Sequence, residues 1–149
     1  MKKLQVGKHQ ILVDDDFELK TGLTIVVDNK GYAKINKYHG VKPNGKPNNK
    51  YYMMLHSYIM NSREQIDHID RNPLNNQRSN LRFCTHSQNQ ANKNKKAKGY
   101  SYNTNRKKYI ARIQINNKQI YIGGYNTQEE AHKAYTIKKR ELFGEFANE

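Results

Sequence analysis

The sequence predicts an α+β fold in three parts: a strand-rich N-terminal region, a two-stranded hairpin followed by a helix, and a three-stranded antiparallel sheet packed on one helix. Short apolar segments separated by turn residues fill the first part. A long polar loop between two short strands marks the second part, and strand alternation followed by a helix-start signal marks the third. The lysine-rich segment 93–99 places the last boundary, which gives parts 1–50, 51–95 and 96–149.

The N-terminal part contains three predicted strands. Asp14–Asp16 is predicted to be a turn between strands and not a metal cluster. Lys42–Lys50 contains two prolines and one glycine and predicts a loop, whereas Tyr51–Met60 predicts a strand that becomes a short helix near His56. The three strands are His9–Val13, Leu23–Val27 and Tyr32–Lys37.

The central part is predicted to place a polar loop between two strands. The first strand ends at Asp67 and His68, the loop covers residues 69–80, and the second strand is Leu81–Thr85. Thr85 is a typical N-cap for a helix that begins at His86. Helical spacing then places three polar side chains on one face of this helix, namely His86, Asn89 and Lys93.

Apolar and polar residues alternate along the C-terminal part, as they do in β-strands. Asn116-Asn117 predicts the hairpin turn, and Thr127 with Glu130 predicts a capping box at the start of a helix. Apolar positions of the middle strand face this helix, so polar side chains of two strands share the open face. The strands are Gly99–Asn103, Tyr109–Ile115 and Gln119–Gly123, and the open face carries Arg112, Gln114, Gln119 and Tyr121.

The net charge of the chain narrows the range of possible functions. The 149 residues include 27 Lys and Arg against 13 Asp and Glu, a formal net charge of +14, which is typical of nucleic-acid binders and disfavours an acidic metabolic enzyme. Most of the excess flanks a nearly neutral centre. The single cysteine, Cys84, excludes an intramolecular disulfide framework and a multi-cysteine zinc site. No apolar run is long enough for a membrane span, so we expect a cytoplasmic protein of the host cell.

The central residues suit metal-assisted phosphodiester hydrolysis. The carboxylate of Asp67 and the amide oxygen of Asn89 are ligands that a hard cation such as Mg²⁺ prefers. His68 points to the other face of its strand and could deprotonate a water molecule. Two other residues are less informative: Arg82 is expected to be solvated, and His56 is expected to have a structural role or to contact a phosphate.

Residues 55–93 resemble the HNH endonucleases of phages and introns. The resemblance implies a hairpin and a helix around one Mg²⁺ or Mn²⁺ ion, with Asp67 and Asn89 as ligands, His68 as general base and Asn80 as the residue that braces the loop. His86 competes with Asn89 for the ligand role, because the last position of the family motif is His or Asn. Hydrolysis would leave 5′-phosphate and 3′-hydroxyl ends.

The C-terminal part resembles the Apetala-type DNA-binding domain of plant ethylene-response factors, which also occurs fused to phage HNH nucleases. The matching segments include Lys108–Ile113, Ile120–Tyr125 and Thr127–Ala131. Tyrosines replace the usual tryptophans, so the target sequence of that family cannot be transferred. The resemblance implies that the four open-face side chains and Arg106 contact DNA, and charge adds phosphate contacts by His86, Lys93, Lys95, Lys96 and Lys98.

The sequence therefore predicts a homing-type, metal-dependent endonuclease that acts on double-stranded DNA as a monomer or homodimer, and it implies no protein partner. Two alternatives remain open. One is a DNA-binding regulator whose nuclease centre is inactive, and the other is a basic RNA-binding protein.

Overall fold

The computed structural model describes residues 1–41, 44–45, 47–93 and 98–147. The chain forms two compact units, Met1–Cys84 and Thr85–Glu149. Several small antiparallel sheets and a few helices make up these units, so the predicted α+β class is confirmed. The division into three parts stays a prediction. No helix among the described residues is both long and apolar enough to cross a membrane.

The first unit begins with two small sheets. Strands β1 and β2 form an antiparallel hairpin, and β3, β4 and β5 form a three-stranded antiparallel sheet in that order. A short helix, α1, follows β5 directly. The elements are β1 Lys2–Val6, β2 His9–Val13, β3 Leu23–Val27, β4 Ala33–Val41, β5 Pro47–Met54 and α1 Leu55–Ile59.

The N-terminal predictions are largely confirmed. Strands β2 and β3 have the predicted bounds, the Asp14–Asp16 segment forms a turn, and a strand leads into a helix at Leu55. The loop predicted to extend to Lys50 is too long, because β5 begins at Pro47, where pairing with β4 outweighs the loop-like composition. Of that loop, Lys42, Pro43 and Lys46 lie outside the described residues.

Two further strands differ from the prediction. β1 was not predicted, because its lysines obscure the alternation that its pairing with β2 reveals. β4 continues to Val41, beyond the predicted end at Lys37, because β5 pairs with its second half. The two sheets enclose one core that consists of Ile11, Val13, Phe17, Ala33, Ile35 and Leu55.

A two-stranded hairpin completes the first unit. Strand β6 (Ile66–His68) pairs with β7 (Leu81–Phe83), and a 3₁₀ turn at Arg78–Asn80 leads into β7. The second strand was predicted to end at Thr85. It ends earlier because Thr85 is the N-cap of the next helix.

The second unit is a three-stranded antiparallel sheet with two helices. The sheet order is β10-β9-β8, and α3 packs against all three strands. Helix α2 contacts α3 and the 3₁₀ turn Gly144–Phe146. The elements are α2 His86–Asn92, β8 Tyr100–Asn103, β9 Lys108–Ile115, β10 Lys118–Tyr125 and α3 Gln128–Phe143.

The predicted local signals of this unit are confirmed. Thr85 and Thr127 each form a capping box, with Gln88 and Glu130 respectively. Asn116 and Asn117 have φ values of 47° and 62°, as the tight turn between β9 and β10 requires. The buried apolar residues of this unit include Ala111, Ile113, Ala131, Phe143 and Phe146.

Gly99 is the position of this unit least tolerant of a side chain. Its φ is 73°, and a Cβ atom built there would overlap the ring of Tyr135. Gly99→Ala is therefore expected to lower the free energy of unfolding by roughly 1–3 kcal/mol, which denaturant titration measures. Gly144→Ala is the matched control, because Gly144 also has a positive φ of 51° but no atom near the added methyl group. Equal losses for the two variants would contradict the steric account.

Candidate functional site

The hairpin β6–β7 places Asp67 and His68 on opposite faces. Their side chains alternate along β6, where Asp67 pairs with Arg82 and His68 pairs with Leu81 on β7. Both polar residues are buried, Asp67 with 6% and His68 with 5% of their surface exposed. Burial of two neighbouring ionisable side chains costs free energy unless each has a hydrogen-bonding or charged partner. Both Asp67 and His68 have such partners.

Asp67 forms an ion pair with Arg82. The Nε and Nη2 atoms of Arg82 donate to Oδ2 of Asp67 at 3.2 and 3.0 Å. The Arg82 side chain is only 12% exposed. The expectation of a solvated arginine is therefore wrong, because the strand register sets Arg82 directly opposite Asp67.

His68 lies in a pocket of aromatic and amide groups. Its Nε2 atom is 3.4 Å from Oδ1 of Asn76. The rings of His56 and Tyr32 lie with their centroids 5.2 and 6.2 Å from its own. The aromatic contacts restrict rotation of the imidazole.

Burial favours the neutral form of both histidines of this pocket. It lowers the pKa of His68, against the opposing effects of the Asn76 hydrogen bond and of the nearby carboxylates of Asp70 and Asp67. It also lowers the pKa of His56 to about 4, and the proximity of His68 adds to this effect. A neutral imidazole is the form that accepts a proton.

The loop between β6 and β7 is held by Asn80. Its Nδ2 donates to Oδ1 of Asp70 and to the backbone oxygen of Asn75, both at 2.9 Å, while its Oδ1 accepts from the Asp70 N–H at 3.0 Å. Asn75 also donates to Oδ2 of Asp70 at 2.7 Å. Burial acts to raise the pKa of Asp70, but hydrogen bonds from Asn72, Asn75 and Asn80 bring it below its ordinary value.

The N-terminal hairpin also holds this loop. The Leu12 N–H donates to the Leu74 oxygen, and the Asn76 N–H donates to the Leu12 oxygen, both at 2.8 Å. Arg78 at the end of the loop pairs with Asp14 at 3.1 Å and Asp16 at 2.8 Å. The acidic turn therefore anchors a cation of the loop.

The predicted ligands and contacts of helix α2 belong to the second unit. His86 is exposed, Asn89 is half-buried, and Lys93 follows the last helical turn. Asp67, His68 and Asn80 belong to the first unit. The assignment of Asp67 and Asn89 to one metal ion therefore stays a prediction.

The donor chemistry fits a hard cation. One carboxylate and one amide oxygen, with water and phosphate as further ligands, suit Mg²⁺ or Mn²⁺. Over the described ranges, no group of three or more His, Cys, Asp and Glu side chains is arranged to hold a metal. A set of metal ligands that contains only one carboxylate is compatible with this finding. However, Arg82 already donates a hydrogen bond to one oxygen of Asp67. An ion at Asp67 would share the carboxylate with Arg82 or displace it.

The open face of the C-terminal sheet carries the four predicted side chains as two cross-strand pairs. Gln114 pairs with Gln119 and Arg112 pairs with Tyr121, and all four are exposed. Ile110 shares this alternation but is 3% exposed, so the face is apolar at one end and polar at the other.

The predicted basic contacts are only partly described. Lys98 and Arg106 are exposed, and the Lys98 oxygen lies 3.0 Å from Nδ1 of His132. Lys95 and Lys96 lie outside the described residues.

Sequence reasoning missed two neighbours of the candidate site, Arg82 as the partner of Asp67 and Asn76 as the partner of His68. Opposite charges at facing positions of a hairpin are a usable signal, so counting back from the loop ends could have paired Arg82 with Asp67. Asn76 is one of several asparagines in the loop, and the sequence does not distinguish it from them.

Comparison with known proteins gives one family and one relative. Residues 38–91 match the family model described as HNH endonuclease. An 86-residue segment is 41% identical to a protein named "Uncharacterized HNH endonuclease L560" from Acanthamoeba polyphaga mimivirus, and it covers 55% of this chain and 44% of the relative. The chain thus spans less than half the length of this relative. No solved structure matches the chain significantly. The segment that contains the β6–β7 hairpin is therefore similar to the HNH endonucleases.

Proposed function

We propose that the chain is a metal-dependent DNA endonuclease of the homing type. The observation that carries the proposal is the buried Asp67–His68 pair, on opposite faces of a two-stranded hairpin within the segment that matches the HNH endonucleases. An acidic ligand and a neutral base on adjacent residues suit hydrolysis of a phosphodiester, because the two act on different atoms of the same reaction.

Each residue has a distinct role in this proposal. His68 accepts the proton of the attacking water. Asn80 keeps the loop closed through Asp70 and Asn75, and so fixes the end of β6 that carries His68. Asp67 and Asn89 would hold one Mg²⁺ or Mn²⁺ ion, with His86 as the alternative to Asn89. That ion would supply stabilisation of the charge that develops on the phosphate and the leaving oxygen.

Double-stranded DNA is the proposed substrate, held by an Apetala-type sheet. Arginine and glutamine can form two hydrogen bonds to guanine and adenine edges, and a sheet can enter the major groove. Exposure of Arg112, Gln114, Gln119 and Tyr121 on one face supports this role. The basic residues around the sheet would contact phosphates, so affinity should fall steeply with salt.

Arg112→Ala tests the sheet. We expect it to weaken binding to the preferred DNA site by about 1–3 kcal/mol and to relax the sequence preference, measured by competition binding on a library of DNA sites. Lys133→Ala is the matched control, since Lys133 is an exposed cation on α3, which packs on the other face of the sheet. Equal weakening by both variants on all sequences would mean that the sheet contributes charge alone.

A DNA-binding regulator with an inactive centre is the second candidate. The Arg82–Asp67 ion pair is the observation that favours it, since a guanidinium already occupies the carboxylate. Plasmid digestion with Mg²⁺ and with EDTA distinguishes the two: an endonuclease cuts only with Mg²⁺, and a regulator binds in both but cuts in neither. End mapping of the products then shows whether 5′-phosphates are left.

A further inference from the structure

Asn76 is a fully enclosed amide between the N-terminal hairpin and His68. It is 1% exposed. Its backbone N–H donates to the Leu12 oxygen at 2.8 Å, its Nδ2 donates to the Pro73 oxygen at 3.1 Å, and its Oδ1 lies 3.4 Å from Nε2 of His68. Backbone and side chain are therefore both held, and the amide oxygen is directed at the imidazole.

The orientation of the Asn76 amide follows from its hydrogen bond to the backbone oxygen of Pro73. A backbone carbonyl such as that of Pro73 can only accept, so the group that faces it must be the NH₂ of Asn76. The amide oxygen then faces His68, and an oxygen without a proton needs a donor. Nε2 of His68 must therefore carry the ring proton, and in the neutral imidazole the lone pair is left on Nδ1.

We propose that Asn76 is a positioning residue that selects the Nε2–H form of His68 and leaves Nδ1 as its basic nitrogen. The inference rests on the proposed endonuclease function for its catalytic meaning, but not for its structural content. At 3.4 Å the hydrogen bond is long, so its contribution to the stability of the fold is small.

The N-terminal hairpin has a part in this arrangement. Leu12 bonds the loop on both sides of Asn75, through the Leu74 oxygen and the Asn76 N–H. β2 lies outside residues 38–91, the segment that matches the HNH endonuclease family model. The hairpin thereby fixes the position of Asn76 relative to His68, which assigns a role to the N-terminal region.

Three variants of the full chain test the inference. Asn76→Leu removes the acceptor that faces His68. Asn76→Asp keeps an acceptor there but loses the hydrogen bond to Pro73. Gln77→Leu removes a neighbouring amide and serves as the control, because its side chain does not cap the 3₁₀ turn that follows. The readouts are the ring nitrogen signals of His68 in long-range ¹⁵N–¹H NMR spectra, and kcat and KM for DNA cleavage.

The expected results distinguish a role of Asn76 in positioning His68 from a general effect on folding. The unsubstituted protein should show the Nε2–H form, and Asn76→Asp should keep a proton on Nε2 because a carboxylate there also needs a donor. Asn76→Leu should show a mixture of both forms and a kcat lower by about 10–100-fold with little change in KM. Gln77→Leu should change neither. A pure Nδ1–H form in the unsubstituted protein, or an unchanged Nε2–H signal and unchanged kcat in Asn76→Leu, would overturn the inference. An Nε2–H signal in a protein that does not cut DNA would support it and contradict the proposed function.

Discussion

Replacing His68 with alanine is expected to lower the rate of DNA cleavage by about 10²–10⁴-fold and to leave DNA affinity unchanged. Burial lowers the pKa of His68 and so favours the neutral imidazole, and the contacts with Asn76, His56 and Tyr32 hold the ring in one orientation. Those features benefit a group that removes a proton. A histidine that only contacts phosphate would bind it better with a positive charge, so a neutral, oriented imidazole suits that role less well.

The measurement is single-turnover cleavage of a DNA substrate at saturating protein, alongside equilibrium binding. His9→Ala is the matched control, because His9 is a partly buried histidine of the same unit on β2. Unchanged cleavage by His68→Ala would contradict the assignment of His68 as general base. Weaker binding together with slower cleavage would mean that His68 contacts the DNA.

Replacing Arg82 with methionine is expected to lower the free energy of unfolding by about 3–5 kcal/mol in the presence of EDTA. Asp67 and Arg82 have side chains that are 8% and 12% exposed, so removal of the guanidinium leaves a carboxylate that is buried with one partner fewer. Breaking one side of such a pair costs more than the pair itself contributes.

Denaturant titration with and without Mg²⁺ measures this effect. Lys138→Met is the control, since it breaks the exposed Lys138–Glu141 pair and should cost about 0–1 kcal/mol. Adding Asp67→Leu to Arg82→Met should recover much of the loss. If Asp67 binds Mg²⁺, the ion should also restore part of the stability of Arg82→Met. A loss no larger than that of Lys138→Met would contradict the account of a buried ion pair.

Local signals made much of the fold predictable. The capping boxes at Thr85 and Thr127 and the Asn116-Asn117 turn depend on neighbouring residues, and all three are present. Strands β2 and β3 alternate clearly enough to give their bounds. β1 and the second half of β4 depend on pairing with distant strands, and a short polar sequence does not reveal that pairing.

The candidate site was also predictable only where it depends on residues that are close in sequence. Asp67, His68 and Asn80 follow from a motif that lies close in sequence. The contacts of Arg82 and Asn76 come from the register of β6 with β7 and from the Leu12 hydrogen bonds, which join residues far apart in the chain. The grouping of helix α2 with the hairpin as one ββα element stays a prediction, and within its own unit α2 contacts α3.

The central claim is that the hairpin with Asp67 and His68 is a metal-dependent nuclease centre. Plasmid digestion by the unsubstituted chain and by Asp67→Asn, each with Mg²⁺ and with EDTA, tests it most directly. We expect nicked or linear DNA only for the unsubstituted chain with Mg²⁺, while both proteins bind the plasmid. Binding without cleavage by the unsubstituted chain in Mg²⁺ or Mn²⁺, or equal cleavage by Asp67→Asn, would contradict it.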